Sequence, residues 1–136
     1  MLSGVADTHA LFWFATGKVD KLGASARRIF EAADRKDGSG LVYVPTVVLH
    51  EMSSLLIGRQ IAMPNSFADF VHTLEKNGFF PIVDVTAEIV VRSDDFRLVN
   101  DPFDRLIIGC AALLEQPLIT LDERVTDSHL VEVIWD

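Results

Sequence analysis

Leu41-Val42-Tyr43-Val44-Pro45-Thr46-Val47-Val48-Leu49-His50-Glu51 contains the change of rhythm that decides the fold. Its first four residues form a brief β-rich run. From Thr46 to about Gly58 the apolar residues recur at helical spacing instead, and Pro45 between the two favours the first turn of that helix. Short apolar strands that alternate with helices belong to a mostly parallel sheet covered on both faces. The alternation extends outward in both directions. On the N-terminal side, Val5 to Asp7 begin a short apolar run that gives way to a helix containing Ala10 to Phe14. Ser25 to Lys36 carries Ala26, Ile29, Phe30 and Ala33 at helical period and ends in the turn Asp37-Gly38-Ser39-Gly40. On the C-terminal side, Phe67, Phe70, Val71 and Leu74 mark a helix closed by Asn77-Gly78, followed by a strand run from Phe79 to Val85. Thr86 to about Phe96 reads as a helix, Asp101-Pro102 opens another, and Leu118 to Leu121 and Val131 to Trp135 supply the last strands. The expected fold class is α/β, a three-layer arrangement with a central, mostly parallel sheet flanked by helices.

A chain of 136 residues suits one domain, residues 1–136, and 49% hydrophobic composition without low-complexity blocks argues for a folded core. No segment approaches the roughly 20 apolar residues of a membrane span, and no basic-then-apolar leader opens the chain. A cytoplasmic location is expected. The single cysteine, Cys110, lies among Ile107, Ile108, Ala111 and Ala112, the setting of a core residue. A net charge of −8 excludes a broad basic surface for nucleic acid, so any such contact must be local.

In open parallel sheets the binding crevice lies beyond the carboxyl ends of the strands, where the strand order reverses. Asp7 and Asp122 both close strand runs, so both project at that rim. Each also has a purely structural reading as a helix cap. Glu51 shares a largely apolar helix face with Val47 and Leu55, and a buried carboxylate needs a cation, a proton or a polar crevice. Asp104 repeats the pattern with Ile107, Ile108 and Ala111, while Asp101 beside Pro102 suits a helix start as well as it suits a metal. Four acidic residues brought to one rim from separate elements repel one another unless cations intervene. Oxygen-only ligands favour Mg²⁺ or Mn²⁺ over zinc. His9 and His50 stand beside Asp7 and Glu51 and are expected to point away from them.

Asp7-Thr8-His9-Ala10-Leu11-Phe12-Trp13, Asp101-Pro102-Phe103-Asp104-Arg105-Leu106-Ile107-Ile108 and Leu118-Ile119-Thr120-Leu121-Asp122-Glu123-Arg124 together resemble PIN domains, particularly VapC-like toxins. The resemblance spans nearly the whole chain and implies a Mg²⁺- or Mn²⁺-dependent ribonuclease. Asp7, Glu51, Asp104 and Asp122 match the family's acidic quartet, with Asp101 as a further metal ligand or a cap. Thr120 matches a hydroxyl position near the site, and Arg105, Arg124 and Arg59 are available for phosphate. The implied partners are an RNA substrate, a small antitoxin protein and a second copy of the chain in a homodimer. The Phe67–Leu74 helix and the Leu11-Phe12-Trp13 stretch are candidate contact surfaces, each also explained by core packing. Two alternatives remain. A catalytically silent PIN-fold module would use the same carboxylates as caps. A Mg²⁺-dependent phosphatase of the haloacid-dehalogenase type shares the topology, but His9 occupies the position where that chemistry requires a second aspartate.

Overall fold

The computed structural model describes residues 1–136. Five strands, β1 (Leu2–Ala6), β2 (Gly40–Pro45), β3 (Ile82–Val83), β4 (Leu118–Ile119) and β5 (Val133–Ile134), form one sheet of order β3-β2-β1-β4-β5. Every neighbouring pair is parallel. Seven α-helices intervene: α1 (Thr8–Ala15), α2 (Ala24–Asp34), α3 (Thr46–Ile57), α4 (Phe67–Lys76), α5 (Ala87–Ser93), α6 (Pro102–Leu114) and α7 (Glu123–Ser128). Neighbouring strand residues point to opposite faces, and Val5 with Ala6, and Leu118 with Ile119, are all buried. Both faces are therefore covered, as the apolar runs require, and the fold is the expected three-layer α/β arrangement. None of the helices is long and apolar enough to cross a membrane.

The chain lays down β1, β2 and β3 toward one edge, then returns to place β4 on the other side of β1. The reversal between β1 and β4 opens a crevice at their carboxyl ends. Elsewhere in the core, Phe14 stacks on Phe30 at 4.9 Å and on Phe80 at 6.0 Å between ring centroids. Cys110 is buried in α6, and burial pushes its thiol up to about 11, so it is an inert core residue.

Several elements differ from their sequence expectation. The third strand is confined to Ile82–Val83 because Asn77 caps a turn through Phe79 N–H at 3.0 Å. Phe80 is drawn into the aromatic stack. Pro45 ends β2 and occupies the N-cap of α3, one residue before the helix proper. The fourth strand ends at Ile119, since the Thr120 hydroxyl is engaged by side-chain and backbone partners beyond the ladder. Helix α7 was not expected, because Val125 is its only large apolar residue and six residues leave no period to read.

Gly40 marks where α2 presses on β2. A Cβ there would lie 2.5 Å from the Ala33 nitrogen and 2.6 Å from the Ala32 Cβ. Gly40→Ala is expected to cost about 2 kcal/mol or more, because the obstruction is backbone rather than a movable side-chain tip. A urea midpoint unchanged from the parent protein would contradict this packing.

Candidate active site

Asp7 follows β1 directly and caps α1: its Oδ1 accepts from Ala10 N–H at 2.9 Å. Its Oδ2 accepts from the Thr120 hydroxyl at 2.5 Å. Thr120 comes just after β4, so this bond ties the two strand ends at the crevice, and the same hydroxyl accepts from Asp122 N–H at 3.1 Å. Glu51 reaches the crevice from α3 and accepts from the hydroxyl of buried Thr8. Asp104 enters from the first turn of α6. Asp101 caps that helix, accepting from Phe103 N–H at 2.8 Å and Asp104 N–H at 3.3 Å. Asp122 caps α7 through Arg124 N–H at 2.9 Å.

These side chains meet. Asp7, Glu51, Asp101, Asp104 and Asp122 all line one cleft of about 380 Å³, together with Thr8, His9, Trp13, Leu121 and Arg124. The capping and cleft-lining readings of Asp7, Asp101 and Asp122 therefore hold together, because a cap uses one carboxylate oxygen and leaves lone pairs for a second partner.

Charge crowding registers in the acidities. Burial, with a smaller repulsion from Glu51, pushes the Asp7 carboxyl from 3.8 up to about 6, against the lowering effect of Thr120, Ala10 and His9. Burial also raises Asp104 from 3.8 to about 6, reinforced by Asp101, Glu51 and Asp122 and opposed by Arg124. Asp122 moves the other way: hydrogen bonds from Arg124 hold its carboxyl below the usual range. The guanidinium grips Asp122 at 2.8 and 3.1 Å and stands 4.0 Å from Asp104. Its side chain is 82% exposed, and an ion pair so placed is screened by solvent and weak, so it exchanges readily for another cation or anion.

Five carboxylates with one imidazole beside them, two of the carboxyls raised to about 6 chiefly by burial, match a hard divalent cation in donor chemistry and charge. The side chains are not drawn into a finished cage: no three acidic, histidine or cysteine groups stand in a ligating arrangement. Arg124 engages Asp122 and Thr8 engages Glu51, so two of the carboxylates have protein partners here.

The remaining residues singled out in the sequence divide. Arg105 is not on the cleft wall: its guanidinium donates to the Val99 and Asn100 carbonyls at 2.7 and 2.9 Å, bracing the turn before α6. His9, expected to point away, lines the cleft beside Trp13 and lowers the pKa of Asp7. His50 is outside the cleft and packs by Phe103 at 5.7 Å. Leu11 and Phe12 are buried, and Phe70 and Leu74 line a separate cleft of about 340 Å³ beside Phe80. Sequence reasoning gave Thr8 no role and read Trp13 as a partner-contact or packing residue, not as part of the cleft. A hydroxyl placed directly after a strand-ending aspartate was the available signal for Thr8.

Comparison with known proteins bears on the family and the fold. The model of the PIN domain family matches residues 5–128. Among solved structures, the chain is similar to one in VapBC2 from Rickettsia felis bound to a DNA fragment from their promoter, at 14% identity and a TM-score of 0.68, covering all of both chains. It is similar to a chain of DNA-bound VapBC from Salmonella typhimurium at 16% identity and a TM-score of 0.64, covering 98% of each. FitAcB from Neisseria gonorrhoeae gives 14% identity and a TM-score of 0.62, covering 96% of this chain and 95% of that one. At such identities the likeness speaks for the fold. No curated protein sequence matches the chain. With most of its length matched by the family model and five carboxylates gathered where the strand order reverses, the chain belongs to the PIN domain family.

Proposed function

We propose that residues 1–136 act as a single PIN domain that hydrolyses RNA with Mg²⁺ or Mn²⁺, as the VapC-like toxin of a toxin–antitoxin pair. The observation that carries this reading is the convergence of Asp7, Glu51, Asp104 and Asp122 on one cleft with the Asp7 and Asp104 carboxyls raised to about 6. Those four residues would hold the metal, with Asp101 at its margin. The bound ion would supply Lewis acidity and charge neutralisation at the scissile phosphate. The protein's own groups do the rest. Thr120 and Ala10 N–H fix the two oxygens of Asp7, Thr8 orients Glu51, and Arg124, once released from Asp122, offers a guanidinium to phosphate.

A net charge of −8 leaves the RNA to be held by few local cations, which suits short single-stranded or looped segments over long duplexes. The solved neighbours include toxin–antitoxin complexes by name, which supports a small protein antitoxin as a partner; a homodimer is carried over from the family resemblance alone. Val91 on α5 and Leu98 after it, 73% and 94% exposed, are surfaces such partners would cover. The purified chain is expected to cleave single-stranded RNA in Mg²⁺ or Mn²⁺ and to stop in excess EDTA. Cleavage unaffected by EDTA, or none with either metal, would remove the proposal.

A further inference from the structure

Trp13 and Trp135 come from opposite ends of the chain and meet edge to face, with ring centroids 6.1 Å apart. Trp13 lines the acidic cleft. Trp135 lines a second, larger cleft of about 770 Å³, which also takes in Arg28. Leu121, 51% exposed, lines both, so the two clefts are one continuous trough with an apolar step between them. The backbone of Trp135 is held in place: its carbonyl accepts from Ala26 N–H at 3.0 Å, and Gly23 is so close that a Cβ would lie 2.2 Å from the same oxygen.

Carboxylates dominate this trough, Glu123 and Asp136 in the far cleft included, but cations flank its aromatic step. Lys21 Nζ lies 5.8 Å from the Trp13 ring centroid, and Arg28 lines the far cleft with an exposed side chain that donates only to the Ser25 hydroxyl, at 3.0 Å. Flat aromatic rings between cations are the elements that hold a single nucleic-acid strand: bases stack, and phosphates pair with the positive groups.

We infer that the Trp13–Trp135–Leu121 step is a base-stacking platform that receives the nucleotide next to the scissile phosphate of single-stranded RNA, with Lys21 and Arg28 taking its flanking phosphates. This rests on the ribonuclease reading of the adjoining carboxylates and adds to it the path of the strand. Trp13 binds substrate in this scheme and takes no part in the bond-breaking chemistry. A duplex fits the trough poorly, because paired bases keep their faces stacked on one another.

The two tryptophans are the only ones in the chain, so fluorescence excited selectively at tryptophan, leaving Tyr43 dark, reports on this step. Binding of a short single-stranded RNA in Ca²⁺ is expected to quench that fluorescence, and the same oligonucleotide with abasic sugars is expected to leave it unchanged. In Mn²⁺, Trp13→Leu keeps apolar packing but lacks a flat ring, and should raise KM for RNA cleavage roughly tenfold or more with kcat little altered. Trp13→Phe should restore most of the loss. Equal quenching by the abasic strand, or an unchanged KM in Trp13→Leu, would overturn the platform while leaving the nuclease reading intact. If the parent protein cleaves no RNA, the nuclease reading fails, and the fluorescence comparison, which needs no cleavage, still decides whether bases stack here.

Discussion

Asp7→Asn is expected to lower the rate of RNA cleavage by about a hundredfold or more while leaving a metal-free protein at least as stable as the parent. The substitution separates the two roles of this side chain. As the cap of α1, Asp7 accepts from Ala10 N–H, and asparagine caps a helix as well as aspartate does. As a proposed metal ligand, it contributes a negative charge that asparagine lacks. A protein in which Asp7 only capped would therefore keep its activity. Stability should move in the opposite sense to activity. A carboxyl whose pKa rises from 3.8 to about 6 on folding opposes the fold by about 3 kcal/mol once ionised. Part of that gain is lost with the altered hydrogen bond to Thr120, leaving a net stabilisation of about 1–2 kcal/mol at pH 7.5. Parallel measurement of cleavage and of thermal unfolding in EDTA checks both halves. An active variant, or one that unfolds well below the parent, would contradict the assignment.

Adding Mn²⁺ or Mg²⁺ at about a hundred times its dissociation constant should raise the melting temperature by on the order of 10 °C at pH 7.5, and by clearly less at pH 5. The sign follows from the two raised carboxyls. Asp7 and Asp104 each have a folded value near 6 against 3.8 for the ordinary group. Their contribution to stability is fully present below about pH 3.8 and is lost as the pH rises through about 6. Without metal, these two groups make the fold weaker at pH 7.5 than at pH 5. A cation reverses that penalty where both are ionised and must compete with protons where they are not. Asp122 and Asp37, whose values are lowered, act in the contrary sense: their stabilisation is present above the ordinary value and lost only at lower pH, outside this window. Equal metal stabilisation at the two pH values would mean that ions bind elsewhere.

The elements that could be read in advance are those whose signal is local. Helix α6 opens at Asp101-Pro102 as expected, because a capping carboxylate followed by a residue without an N–H satisfies a helix start using neighbours in sequence alone. Strand β2 and helix α3 follow the switch from a continuous apolar run to helical period. Helix α7 was not legible, since its stability comes from Asp122 accepting from Arg124 N–H and from the single anchor Val125. Arg105 looked like a phosphate contact and is instead engaged by the Val99 and Asn100 carbonyls, which only the path of the preceding turn brings within reach. His9 shows the limit of alternation rules where a strand passes into a helix, because the direction of a side chain there depends on how tightly the chain turns.

By itself the sequence determined the layers and the chemistry. Periodicity dictates which residues are buried, burial on both faces dictates a parallel sheet, and acidic residues at strand ends or on apolar helix faces must find counter-charge. Only the tertiary structure decided which of them share a wall. The return of β4 to the flank of β1 joins Thr120 to Asp7, sets Thr8 against Glu51, turns Arg124 onto Asp122 and brings Trp135 against Trp13. Strand order is set by the summed packing of many weak apolar contacts, and no single stretch of the chain carries that sum.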